Sequence, residues 1–224
     1  MQLALDFEHR AALTGDEFLV AACNRAAVAW IDRWPDWPAP GLTIHGPAGC
    51  GKSHLVQVFL ARSHGEVLAA RDLPPRDASP VAVERPAFVL DDVDLTLEGR
   101  CEEALLHAYN ELAETGRHIL FTAKQPPARW NIALPDLRSR LNAMPVVAIG
   151  APDEALISAI LVKLFADRQL RVSPEVVSYM LARMERSFAA ARGLVAAIDA
   201  RALAERREIT VPLVREVVDR SGPD

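Results

Sequence analysis

The chain has 224 residues, half of them hydrophobic and a quarter charged, with a net charge of −5. That composition supports one large or two small folded domains and excludes global disorder. The negative charge lies in residues 1–150, while residues 151–224 are neutral, so bulk attraction to nucleic acid is excluded as the main task.

Cys23, Cys50 and Cys101 are too few and too scattered for a disulfide framework or a zinc site, which points to a reduced, cytoplasmic setting. No stretch approaches the roughly 18 apolar residues of a membrane span, and no signal peptide is legible. Of the 25 basic residues only Lys52, Lys124 and Lys163 are lysines, so a lysine at a special position stands out.

The first residues, MQLALDF, stand apart from the rest of the chain. A helical pattern covers about Asp16 to Trp34, until Pro35, Pro38 and Pro40 break it. Trp30, Trp34 and Trp37 read as packing or interface residues. Leu42 to His45 reads as a buried strand, followed by a Gly-rich turn and a helix over residues 52–63. Residues 72–86 carry four prolines and read as a loop. Ala87 to Leu90 is a second strand, ending in Asp91 and Asp92. A helix from Glu102 to Glu114 stops at Gly116. Then come a third strand, His118 to Thr122, a short helix around 134–142 and a fourth strand, Val146 to Ile149. Beyond Gly150 the strands cease, and residues 153–168, 174–185, 187–205 and 211–220 read as helices. The fold class implied is α/β: a mostly parallel sheet with helices on both faces, followed by a small all-helical lid. The boundaries expected are a tail over 1–10, a nucleotide-binding domain over 11–150 and a lid over 151–224.

Residues 46–53 satisfy G-x-x-x-x-G-K-[ST] in full, between a strand and a helix. In such a loop the glycines let successive N–H groups turn inward on a polyphosphate, and the helix N-terminus adds partial positive charge. Pro47, Ala48, Gly49, Cys50, Gly51, Lys52, Ser53 and His54 therefore form the candidate phosphate site. Lys52 is expected to reach the β- and γ-phosphates and the Ser53 hydroxyl to ligate Mg²⁺. Asp91, at the end of a buried strand, is the expected Mg²⁺ partner through water or Ser53. Asp92 is the candidate for polarising the attacking water or, alternatively, a helix-capping carboxylate. Asp94 reads as solvated. His45, His54, His107 and His118 show no metal spacing.

With these residues placed, the chain resembles the DnaA/Hda family of AAA+ ATPases. Gly51-Lys52-Ser53-His54-Leu55 resembles that family's phosphate loop, and Thr122-Ala123-Lys124-Gln125-Pro126-Pro127 its sensor 1 segment. The string from Leu134 to Leu141 resembles the arginine-finger segment, and Ile209 to Val217 the last lid helix. The resemblance implies adenine nucleotide, ADP or ATP, with Mg²⁺. It implies Arg140 as a finger acting on nucleotide bound to a neighbouring DnaA, with Arg138 competing for that role. Arg192 is the implied sensor 2 residue, with Arg186 as runner-up, and Thr122 is the polar group of sensor 1. Lys124 departs from the acidic residue usual in DnaA, and an ammonium cannot accept a hydrogen bond from water. Weak self-hydrolysis is therefore expected. Phe18, Leu19, Val20 and Asn24 resemble the adenine-facing segment.

The end of the chain just after the lid, without a DNA-binding helix-turn-helix, favours the Hda branch of the family and argues against strong direct DNA binding. So does Gln2-Leu3-Ala4-Leu5-Asp6-Phe7, which resembles that branch's peptide for the β subunit sliding clamp of DNA polymerase III. Extended, the peptide puts Leu3, Leu5 and Phe7 on one side. Burying Leu5 and Phe7 in a partner would yield about 1.5–3 kcal/mol each. The implied function is regulation of replication initiation: docking on the DNA-loaded clamp and stimulating ATP hydrolysis by DnaA. Nucleotide-dependent self-association is a further expectation. The alternatives are an autonomous ATPase of helicase-loader type and a nucleotide-gated adaptor with no role in hydrolysis.

Overall fold

A computed structural model describes residues 8–10, 18–69, 73, 85–97 and 101–220. These divide into two compact units, 8–150 and 151–220. The clamp-peptide residues Gln2, Leu3, Leu5 and Phe7 lie outside the described residues.

The first unit opens with a small antiparallel pair, β1 (Glu8–Arg10) and β2 (Phe18–Val20). Residues 8–10, expected in the tail, are thus a strand of this unit. Phe18 to Val20, expected at the start of a helix, are extended, and α1 begins only at Arg25 (Arg25–Asp32). A short turn separates the two, made by Asn24: its Oδ1 accepts from Ala21 N–H at 2.8 Å and its Nδ2 donates to Leu19 O at 3.0 Å. Side-chain bonding to nearby backbone is what disfavours helix at such residues.

Five parallel strands come next, in the order β4-β5-β6-β3-β7. They are β3 (Gly41–His45), β4 (Glu66–Leu68), β5 (Ala87–Leu90), β6 (His118–Ala123) and β7 (Val146–Ala148). β4 is not legible in the sequence because it is a three-residue edge strand with two exposed positions. The other helices of the unit are α2 (Lys52–Ser63), α3 (Val93–Thr96), α4 (Cys101–Glu114) and α5 (Pro135–Ala143).

Alternation of side chains along the central strands divides the core into two layers. Phe88, Leu90, Ile119 and Phe121 face Leu105, Ala108 and Leu112 of α4 and Leu137 and Leu141 of α5. Val89, Leu120, Leu42 and Ile44 face Ile31 of α1 and Leu55, Val56 and Phe59 of α2. With both faces covered, the central strands read as continuous apolar runs. The tryptophans near α1 are packing residues: Trp37 stacks on Phe59 at 5.4 Å, and Trp34 meets it edge-on at 5.9 Å.

The second unit holds α6 (Glu154–Asp167), α7 (Pro174–Leu181), α8 (Phe188–Glu205) and α9 (Val211–Arg220). Asp153 caps α6 by accepting from Leu156 N–H at 2.8 Å, and Ser187 caps α8 through Ala190 N–H at 3.1 Å. α6 and α8 run side by side in the same direction, as two ion pairs show: Glu154–Arg186 at 2.9 Å near their starts and Arg168–Asp199 at 3.6 Å further along. Their shared core includes Ile157, Leu161, Phe165, Val195 and Ile198. No helix among the described residues is long and apolar enough to cross a membrane.

Candidate nucleotide site

The strand register brings the chemistry together. Leu90 is paired with Phe121, and Ile44 with Thr122. The carboxyl ends of β5, β6 and β3 therefore converge at one edge, where parallel α/β sheets bind ligands.

The loop between β3 and α2 has the backbone that a phosphate cradle needs. Gly49 and Gly51 have φ of 72° and 103°, the left-handed region that favours glycine. Gly46 is required for another reason: a Cβ there would sit 2.4 Å from Ile149 O and 2.9 Å from Cys50 Sγ. The Gly46 N–H also ties the loop to Ala123 O at 3.1 Å. The first N–H groups of α2 have no helical acceptor and share the positive end of its dipole.

Lys52 is buried, and its Nζ donates to Gly46 O at 2.8 Å and Pro47 O at 3.1 Å. That engages two of three ammonium donors. The third has no protein acceptor among the described residues, and a phosphate oxygen fits it. The loop thus suits a polyphosphate. Lys52 also acts on its neighbours. Burial first, then the Lys52 charge, hold the His45 imidazole below its ordinary value of 6.5. Burial raises the Cys50 thiol, and Lys52 offsets only part of that, so Cys50 stays a protonated packing residue. Ser53 is exposed and His54 half-buried.

At the ends of β5 and β6 the structure joins Asp91, Asp92 and Thr122. The Thr122 hydroxyl, fully buried, donates to Asp91 Oδ1 and accepts from Asp92 N–H at 2.9 Å. Thr122 therefore orients the Asp91 carboxylate and anchors the Asp92 backbone. Asp92 has left-handed backbone (φ 48°) and its side chain does not cap α3.

Asp94 corrects the expectation of a solvated carboxylate. Its Oδ2 accepts from the N–H groups of Lys124 and Gln125, at 2.9 and 3.2 Å, while its Oδ1 is buried without a partner among the described residues. The turn after β6 is thereby clasped to α3. The Lys124 side chain is exposed, so it is the backbone of that segment that is held in place.

The remaining candidates divide. Leu19 and Val20 are buried, and both polar ends of the Asn24 amide are engaged within its own turn. Phe18 is described only as backbone. Arg138 and Arg140 are exposed on α5, and the Arg140 charge acts on the buried phenol of Tyr109, opposing part of the upward push that burial exerts on it. In the lid unit, α8 buries Ala191, Val195, Ile198 and Ala202, which leaves Arg192 exposed, whereas Arg186 is paired with Glu154. Glu102 carries no signal in the sequence, because a glutamate in a helical first turn is ordinary. In the structure it is buried and accepts from Ala133 and Leu134.

A parallel sheet carrying a P-loop sequence, with an acid at the end of a neighbouring strand, followed by a helical unit, is the AAA+ architecture. Solved structures agree on the fold. Domain III of the Thermotoga maritima replication initiation protein DnaA superposes with a TM-score of 0.77 at 17% identity, over 91% of this chain and 94% of that one. AMPPCP-bound DnaA from Aquifex aeolicus gives 0.71 at 19% identity, over 91% and 68%. In sequence, the chain is 23% identical to the chromosomal replication initiator protein DnaA of Cutibacterium acnes, over 94% of this chain and 47% of that protein. The chain thus spans about half the length of that curated relative. Residues 153–218 match the family model described as Hda, lid domain. The chain thus has the AAA+ fold of those structures, and its helical unit is similar to the Hda lid.

Proposed function

We propose that the protein is a cytoplasmic regulator of replication initiation that binds adenine nucleotide and acts on DnaA. The observation that carries this reading is the presence, in one chain, of a formed phosphate loop and a lid that matches the Hda model. Lys52 and the loop amides hold the phosphates, and Ser53 and Asp91 hold Mg²⁺. When bound, the metal neutralises charge on the phosphate oxygens. Thr122 keeps Asp91 aimed at the site, and Asp92 polarises water. Leu19 and Val20, with the backbone around Phe18, form the wall for the purine, while Asn24 fixes its shape. Arg192, exposed on α8, is the sensor 2 residue in this reading. ADP or ATP both fit this assignment.

In this reading Arg140 is the finger: a guanidinium that stabilises charge growing on ATP held by a neighbouring DnaA. Residues 2–7 dock on the sliding clamp through Gln2, Leu3, Leu5 and Phe7.

A mixing experiment tests the reading. DnaA–ATP hydrolysis should accelerate only when this chain and DNA-loaded clamp are both present. Arg140→Ala should abolish the stimulation, Leu5→Ala with Phe7→Ala should abolish clamp binding, and with it the stimulation, while nucleotide affinity stays the same, and Lys52→Ala should weaken nucleotide binding first. Robust ATPase by the chain alone would favour the helicase-loader alternative. Clamp and DnaA binding without stimulated hydrolysis would favour the adaptor.

A further inference from the structure

Among the described residues only two charged side chains are buried, Lys52 of the phosphate loop and Glu102 in the first turn of α4. Burying a carboxylate is costly unless its oxygens are hydrogen-bonded. Glu102 is 5% exposed, and each of its oxygens accepts one backbone N–H: Oε1 from Ala133 at 3.0 Å and Oε2 from Leu134 at 2.7 Å. Those are the last two N–H groups before α5, because Pro135 has none. α5 has no side-chain cap of its own. Glu102, from another helix, instead grips the two amides that lead into α5 and places negative charge near the positive end of the α5 dipole.

The same connection is held at its other end. Trp130, buried and edge-on to Phe121, donates through Nε1 to Gln125 O at 2.7 Å. Gln125 N–H is held by Asp94. Residues 124–134 are thus fixed by three side chains between the acidic end of β5 and the start of α5. α5 carries Arg138 and Arg140 on its exposed surface, while Leu137 and Leu141 pack inward.

We propose that Glu102 is a positioning residue for the arginine-bearing helix, holding α5 in the one rotation and height that presents its guanidinium to a nucleotide on the neighbouring protein. The inference rests on the finger reading above. Apolar packing by Leu137 and Leu141 keeps α5 on the sheet but tolerates a slide. The two charge-assisted bonds are directional and fix the register. Displacements of the order of an ångström at a group that stabilises a transition state cost roughly 100-fold in rate.

The test uses the full chain with DnaA–ATP and DNA-loaded clamp, and compares wild type, Arg140→Ala, Glu102→Ala and Glu102→Gln. Glu102→Ala should bind ADP as wild type does. It should lower the maximal stimulated rate by ~10-fold or more while the chain concentration giving half-maximal stimulation stays the same. Glu102→Gln, which keeps a neutral acceptor, should recover part of the rate. Amide exchange at Ala133 and Leu134 should speed up in Glu102→Ala while the strands stay protected. A simple loss of folded protein in both Glu102 variants would instead raise the half-maximal concentration and deprotect the sheet, which overturns the proposal. If Glu102→Ala does not fold, Glu102→Gln carries the same comparison. If Arg140→Ala abolishes stimulation but a folded Glu102 variant retains its maximal rate within about twofold, the positioning role is refuted. If Arg140→Ala itself has no effect, the finger reading fails first.

Discussion

Replacing Thr122 by valine probes the acidic end of β5 with almost no change of shape. The Thr122 side chain is fully buried, and its hydroxyl serves two partners, as donor to Asp91 and acceptor from Asp92 N–H. Valine removes both bonds and puts a methyl group against a carboxylate. A hydrogen bond to a charged group contributes about 1.5–3 kcal/mol, and a buried N–H left without an acceptor costs about 1–3 kcal/mol. The two losses share one hydroxyl and are not additive, so a net destabilisation of about 2–4 kcal/mol is expected. All four tryptophans, Trp30, Trp34, Trp37 and Trp130, lie in the unit spanning 8–150. Urea unfolding followed by tryptophan fluorescence therefore reports that unit alone. With a slope of a few kcal/mol per molar, the midpoint should fall by about 1 M. Thr122→Ser keeps the hydroxyl and should recover most of the loss. Nucleotide binding by the valine variant should require more Mg²⁺, because Asp91 is no longer oriented. A valine variant within about 0.5 kcal/mol of wild type would refute the network, since that is the range of neutral surface changes.

Thr43, also fully buried, has a hydroxyl with no partner among the described residues; Thr43→Val should therefore be neutral or stabilising by about 1 kcal/mol in the same unfolding assay. His118 sits edge-on to Trp34 and Trp37, at 6.2 and 5.5 Å, and burial holds its imidazole below the ordinary 6.5. The unfolded chain binds that proton more readily, so stability is full above 6.5 and is lost as pH falls from there through the folded value. His118→Phe, which keeps a ring in the cluster, should flatten part of this slope, and an unchanged slope between pH 7 and 5 would contradict the assignment.

Local sequence is enough for the elements whose cause is local. The P-loop is legible because glycine, lysine and serine at that spacing have few other uses, and the buried strands because both sheet faces demand apolar residues. The lid helices are equally legible as four helical runs after the strands cease, while their caps, such as Asp153 and Ser187, show only in the structure. The run from Phe18 to Val20 misleads because its three apolar residues fit a helix or a strand equally well, and only the pairing of Val20 with Glu8 decides between them.

The side-chain network around the site belongs to tertiary structure. Asp94 and Lys124 lie 30 residues apart, and Glu102 and Leu134 are separated by 32. No pattern in the chain marks such a pair, because a carboxylate in a first turn looks the same whether it meets water or a distant amide. Packing brings the partners together, and burial then makes each bond strong and its loss costly. Composition and spacing thus determined the sheet, the phosphate loop and the helical lid, while chain crossover decided which acids hold the sensor segment and the arginine helix in place.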